Sequence, residues 1–215
     1  MKITQLQKQK RSDERFNVYL DGTYYCALTA ETIVKNSIKE GLEIDKEKLD
    51  ELQFVSEKQT ALTKTVKYLG NKLKTKKELI QYLKGKGYVD SIIDYVLSML
   101  SQYGYVNDQY YANTFTKSTT NKNGKKLIAL KLKQKGVDDK TISQALESVQ
   151  NERETVMALA QKYLKNKPKT YETSQKLYRF LMSRGFENED IMYAIKTLIK
   201  ESEEYESGNW HYRDR

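Results

Sequence analysis

Two pairs of adjacent lysines, Lys76-Lys77 and Lys125-Lys126, stand at matching places in the chain, and their chemistry suits one task, holding an anion. Each pair follows a residue that can start a helix, Thr75 or Gly124. Lysine in a first helical turn opposes the macrodipole by roughly 0.3–1 kcal/mol. A phosphate lodged against the free N–H groups of a helix start, with ammonium groups beside it, would supply a reason for that cost. Lys72, Lys74, Lys84, Lys86, Lys122, Lys131, Lys133 and Lys135 extend the stripe, and with the two pairs they form the candidate nucleic-acid-binding set. The plainer alternative is that lysine is a good helix former on a wet face.

Other chemistries find little to work with. Cys26 is the single cysteine, so it cannot close an intramolecular disulfide, and it reads as a small core residue in a strand. His211 is the single histidine and lies beside Trp210 in a polar tail. No His/Cys cluster could hold zinc, and no cysteine–histidine pair could make a nucleophile. No paired carboxylates stand apart from helix caps, and no glycine-rich phosphate loop occurs. The expectation is a protein that is not an enzyme and needs no cofactor or metal.

The charge is unevenly spread. Residues 1–56 carry 9 basic and 10 acidic side chains, 57–105 carry 9 and 4, 106–150 carry 8 and 4, and 151–215 carry 12 and 11. The excess behind the net +9 therefore lies in the middle, where it attracts phosphate over about 10 Å at ordinary salt. No stretch approaches the roughly 20 apolar residues of a membrane span, and the start of the chain lacks an apolar signal core. A soluble, cytoplasmic protein is expected. One proline, Pro168, leaves nearly all of the 215 residues free to be helical.

The elements that must position the lysines repeat. Leu79 to Gly87, Ile128 to Gly136 and Leu177 to Gly185 follow one pattern: an apolar residue, another four later (Leu83, Leu132, Leu181), then a basic residue and a glycine. Glycine after a basic last turn is a helix stop. Asp90, Asp139 and Asn188, three residues on, are suitable N-caps for a following helix. That helix carries one apolar face: Ile93, Val96 and Leu97; Ile142, Ala145 and Leu146; Ile191, Ala194 and Ile195. Thr75, Gly124 and Thr173 stand where the middle helices start, Thr75 with Glu78 as a capping box. In the third unit Ser174-Gln175 replaces the lysine pair. Each unit opens with a further helix, about Glu57–Leu69, Asn107–Thr116 and Asn151–Leu164. Tyrosines on these stripes, such as Tyr68, Tyr82, Tyr163 and Tyr178, read as core packing with hydroxyls at the rim rather than as base-stacking platforms.

The spacing predicts an all-α fold: three tandem three-helix repeats stacked into an elongated curved solenoid, because one unit alone has too little core. A small N-terminal β-hairpin or sheet is appended. Around Asp21-Gly22, Phe16, Val18 and Leu20 share a face with Tyr25 and Ala27, residues 2–7 add a third strand, and short helices follow Thr29 and Asp45. The expected divisions are 1–54, 55–105, 106–150, 151–203 and a polar tail at 204–215. The N-terminal part, acidic on balance, reads as a docking or capping element rather than a DNA reader.

These motifs resemble the RecX regulators of the RecA recombinase. The matches are Lys72 through Leu79 with Leu83, Gly104 through Ala112, Gly124 through Val137, and Leu181 through Phe186, with the Asp-Gly hairpin ahead of them; the similarity spans about residues 15–200. Where the family often has arginines, this chain has Lys72 and Lys74, and lysine keeps the charge but loses bidentate geometry. The resemblance implies a cytoplasmic monomer that lies in the groove of the RecA filament on single-stranded DNA. It implies a protein that touches more than one protomer and modulates, usually inhibiting, ATP hydrolysis and strand exchange, or promotes filament disassembly, within recombination, DNA repair and the SOS response. Two other classes stay open: a protein that coats single strands without a recombinase target, and a nuclease.

Overall fold

A computed structural model describes residues 1–10 and 14–199. The tail at 204–215, with His211, and the acidic stretch Glu201–Glu206 lie outside the described residues. Contacts divide the chain into two units, 1–106 and 107–215.

The first unit opens with a three-stranded antiparallel sheet in the order β1 (Ile3–Lys8), β2 (Arg15–Leu20), β3 (Thr23–Thr29). Asp21 and Gly22 take φ of 45° and 85°, the left-handed pair that a two-residue hairpin turn requires. The sheet departs from the expected register at one point. The pairing slips between Val18 and Tyr19, so Val18 faces Cys26 and Phe16 faces Leu28. Tyr25 is the extra residue of a bulge, and a one-residue slip moves later side chains to the opposite face. Cys26 and Leu28 therefore replace Tyr25 and Ala27 opposite Val18 and Phe16, and with Val18 they join a cluster with Ile3, Leu20, Ile38, Leu49 and Leu52. The Cys26 thiol is buried there and pushed up to about 11 by burial, which keeps it protonated and inert.

After α1 (Ala30–Lys35) comes α2 (Lys46–Leu69). The two separate helices expected after Asp45 and over 57–69 are one helix of 24 residues, since neither Gly nor Pro interrupts it. Its first half covers the sheet through Leu49 and Leu52. Its second half packs through Ala61 and Leu69 on α3 (Lys76–Gly85) and α4 (Asp90–Gln102).

In the second unit, α5 (Asp108–Thr119), α6 (Lys125–Gln134) and α7 (Asp139–Glu147) pack together, as do α8 (Glu152–Leu164), α9 (Tyr171–Ser183) and α10 (Asn188–Ile199). Ten helices in all are thus present among the described residues. None is long and apolar enough to cross a membrane.

The repeat's punctuation is the same in each helix triplet. Gly87, Gly136 and Gly185 have φ of 80°, 83° and 78°. The next amide reaches back to the second repeat leucine, Tyr88 N to Leu83 O at 3.3 Å, Val137 N to Leu132 O at 3.1 Å and Phe186 N to Leu181 O at 3.5 Å. That is the Schellman closure, in which only glycine is unstrained. Leu79, Leu83, Ile128, Leu132, Leu177 and Leu181 are fully buried.

Helix starts differ from expectation by a residue or more. The N-caps of α4 and α7 are Val89 and Asp138, with Asp90 and Asp139 already inside the helices. Asp138 accepts from Thr141 N at 2.9 Å, and that bond holds its carboxyl below the usual range. Helix α9 is capped by Thr170 rather than Thr173, so Ser174-Gln175 lies in its interior and is not a helix-start pair.

Candidate anion-binding surfaces

In the first unit Lys72, Lys76, Lys77, Lys84 and Lys86 are exposed, while Lys74 is half-buried. The start of α3 is built as expected: Thr75 Oγ1 accepts from Glu78 N at 3.3 Å and Glu78 Oε2 accepts from Thr75 N at 3.1 Å. This capping box brings Glu78 within 3.9 Å of Lys74 Nζ. Tyr68 and Tyr82 stack at 3.9 Å between centroids, 3° from parallel. Lys74 Nζ lies 5.3 Å from the Tyr68 centroid and Lys86 Nζ 5.7 Å from that of Tyr82. The rings seat the two ammonium groups by cation–π attraction, which holds them in place without neutralising them.

In the second unit Lys122, Lys126, Lys133 and Lys135 are exposed, and Lys125 and Lys131 are half-buried. Here the expected phosphate seat is already filled. Gly124 N donates to Arg184 O at 2.8 Å, and Lys125 N donates to Glu152 Oε1 at 2.8 Å. The anion at the α6 start is the chain's own Glu152, delivered by the first turn of α8. Lys126 Nζ reaches Glu187 Oε2 at 2.7 Å. Lysine at the start of α6 thus answers two carboxylates of the third helix triplet. Burial raises the Glu152 carboxyl above its usual range, against the lowering effect of the Lys125 N–H.

That arrangement gives a stability test. Glu152→Ala leaves the half-buried Lys125 N–H without its acceptor and is expected to cost roughly 1–2 kcal/mol in urea unfolding. Glu152→Gln keeps an acceptor oxygen. A raised carboxyl contributes stability below its ordinary range and loses it as pH rises, so the Gln variant should gain on the native chain between acid and neutral pH. Equal losses for Ala and Gln would show that the oxygen at the α6 start is not what matters.

Lys84 pairs with Asp90 at 3.3 Å and Lys133 with Asp139 at 3.0 Å, the same bridge in both triplets. All four side chains are more than half exposed, so phosphate can compete for these lysines.

The third triplet holds a feature that sequence reasoning missed. Lys167 Nζ lies 3.3 Å over the Tyr163 ring, Arg184 lies 4.6 Å over Phe180, and the two rings are 4.9 Å apart. Tyr82 and Phe180 stand five residues before their glycines, where the middle triplet has Lys131. That matching position, together with the basic residue before the glycine, was the available signal. Residues 151–199 carry nine basic and six acidic side chains, so this triplet is also cationic before the acidic stretch that follows. Among the described residues no group of three or more His, Cys, Asp or Glu could hold a metal ion.

Comparison with known proteins agrees with this division. Family profiles described as the regulatory protein RecX N-terminal domain and as the RecX first, second and third three-helix domains match residues 1–45, 61–100, 107–146 and 151–195. A protein named Regulatory protein RecX from Clostridium botulinum (strain Alaska E43 / Type E3) is 37% identical, over 95% of this chain and 98% of its own. One of the same name from Bacillus subtilis (strain 168) is 32% identical, over 94% and 79%. A crystal structure of regulatory protein RecX matches in fold with a TM-score of 0.65 at 24% identity, covering 94% of this chain and 99% of that one. The crystal structure of RecX from Lactobacillus salivarius gives 0.59 at 25% identity, over 66% and 96%.

Proposed function

The chain belongs to the RecX family of regulatory proteins, and from that premise we propose that it regulates RecA by binding the RecA filament on single-stranded DNA, inhibiting its ATPase and strand exchange. The observation that carries this reading is the pairing of a full-length family match with a cationic excess in residues 57–150, where exposed lysines recur at the same repeat positions. Lys72, Lys76, Lys77 and Lys86 in the first triplet, and Lys122, Lys131, Lys133 and Lys135 in the second, are the contacts to DNA phosphate or to acidic filament surface. Lys74 and Lys84 support them. Lys125 and Lys126 contribute field rather than contact, since Glu152 and Glu187 already face them. The protein acts as a monomer in the cytoplasm, without catalysis of its own.

The test is RecA ATPase on single-stranded DNA with increasing amounts of this chain. Hydrolysis should fall well below one chain per RecA protomer, because a regulator touching several protomers acts at a low ratio. Unchanged hydrolysis at that ratio refutes the reading. Inhibition that free single-stranded DNA abolishes, with no effect on filaments already assembled, assigns the protein to strand coating instead.

A further inference from the structure

A groove on the third helix triplet takes no role in the reading above. Helices α8 and α10 run in the same direction, with Arg153 bonded to Asp190 near their starts and Leu164 beside Leu198 near their ends. Two hollows lie along the pair and meet at Ala158 and Gln161. One, of about 350 Å³, is walled by Met157 and Tyr193, and the other, of about 570 Å³, by Leu164 and Leu198. Their floor is mainly apolar. Tyr193 is 48% exposed, and Arg153, 4.8 Å over its ring and bonded to Asp190 at 2.7 Å, holds it in place. An apolar trough left open to water gains free energy when something covers it.

Charge divides the groove lengthwise. At the helix starts one cation, Arg153, stands against Glu154, Glu189 and Asp190. At the helix ends Lys162, Lys165 and Lys169 rim the larger hollow. The segments that form this end, residues 155–171 and 191–199, carry five lysines and no acidic residue. Lys162 and Lys165 are exposed and enter no ion pair among the described residues. The lysine end therefore presents uncompensated positive charge beside an apolar floor.

We propose that this groove receives a short extended segment of a partner protein, one that carries a large apolar side chain and, about two to four residues away, two or more carboxylates. The apolar side chain covers Met157 and Tyr193, and the carboxylates meet Lys162 and Lys165. The spacing follows from α8 itself. Lys162 and Lys165 lie about 7.5 and 12 Å along the helix from Met157, at 1.5 Å per residue, and an extended chain covers those lengths in about two and four residues. Other occupants suit the groove less. A nucleic-acid strand lying along it would set phosphates against Glu154 and Glu189 at one end. A second copy of the chain would set lysine against lysine at the other. None of the lysines assigned to the filament lines the groove, so its occupancy and the RecA reading stand or fall separately.

The experiment uses the full chain labelled with nitrogen-15. The probes are acetyl-Phe-Ser-Glu-Glu-Glu-amide, the same residues in reverse order, the glutamine counterparts of both, and oligothymidylate. A glutamate peptide should shift the Tyr193 and Leu198 amide signals saturably, and its glutamine counterpart should bind roughly tenfold more weakly, as two or three exposed charge pairs together allow. Serine in place of the peptide's phenylalanine should weaken binding about as much, by removing the apolar anchor. Lys162→Gln with Lys165→Gln should reproduce the glutamine loss in a folded chain, since both side chains are exposed. Four results would each overturn the proposal. The first is no saturable shift with either glutamate peptide, and the second is equal binding of glutamate and glutamine peptides. The third is tighter action of oligothymidylate on the same signals. The last is binding seen only in a full chain with Glu201→Gln, Glu203→Gln, Glu204→Gln and Glu206→Gln, which would give the groove to the chain's own acidic stretch.

Discussion

Changing Lys72, Lys76, Lys77 and Lys86 together to glutamine is expected to weaken binding to RecA-coated single-stranded DNA roughly hundredfold near 0.15 M salt, and to flatten the salt slope by about 2.8. Each phosphate contact on a single strand contributes about 0.7 to that slope, through release of a condensed counterion, and four contacts add. All four lysines are exposed, and Lys86 is held over the Tyr82 ring, which orients its charge without cancelling it. The matching change of Lys125 and Lys126 should behave differently. Lys126 pairs with Glu187 and the Lys125 charge acts on Glu152, whose oxygen is bonded to the Lys125 backbone N–H, so neutralising the two lysines removes two cations that offset those carboxylates. Binding should then fall with little change in slope, alongside a loss of stability. Filter binding across a salt series separates the cases, and an unchanged slope in the first variant would mean that those lysines do not touch phosphate.

The contrast between the two lysine pairs also measures what a sequence conveys. The repeat was legible because its marks are local: a glycine that must take positive φ, a basic residue before it, and leucines four apart. The Asp-Gly hairpin and the Thr75–Glu78 capping box were legible for the same reason. What escaped depends on residues distant along the chain or on competition between registers. Glu152 lies 27 positions from the Lys125 amide that it accepts from, and no spacing rule links them. The slip at Val18 trades Tyr25 for Cys26 on the core face, a choice settled by packing on α2 and not by alternation within the strands. Helix α9 starts at Thr170 rather than Thr173 because threonine caps well at either place, and an extra helical turn fits before Leu177. Among the described residues the apolar core is divided into four buried clusters, one for the sheet with the first half of α2 and one for each helix triplet.

Between the second and third triplets that separation makes a backbone contact decisive, and Gly185→Ala is expected to be the most damaging single methyl in the chain. A Cβ at Gly185 would stand 2.3 Å from Leu127 N, and one at Gly124 would stand 2.3 Å from Gly185 O and 2.6 Å from Glu152 Oε1. Leu127 N and Gly185 O are backbone atoms and Glu152 Oε1 is held by the Lys125 N–H, while Gly124 N is bonded to Arg184 O and Arg184 Nη1 to Lys122 O at 3.0 Å, so the contact has little room to give. Three variants separate the causes. Gly87→Ala meets open space but must adopt φ of 80°, so it carries conformational strain alone, on the order of 1–2 kcal/mol. Gly124→Ala has an ordinary φ and carries the clash alone, about 1–3 kcal/mol. Gly185→Ala carries both, and roughly 2–5 kcal/mol is a large share of the stability of a domain this size. Urea midpoints should rank the three with Gly185→Ala lowest. Should Gly185→Ala unfold no earlier than Gly87→Ala, the two helix triplets would have to part freely at that contact, and the seating of Glu152 on α6 could not be a fixed feature of the fold.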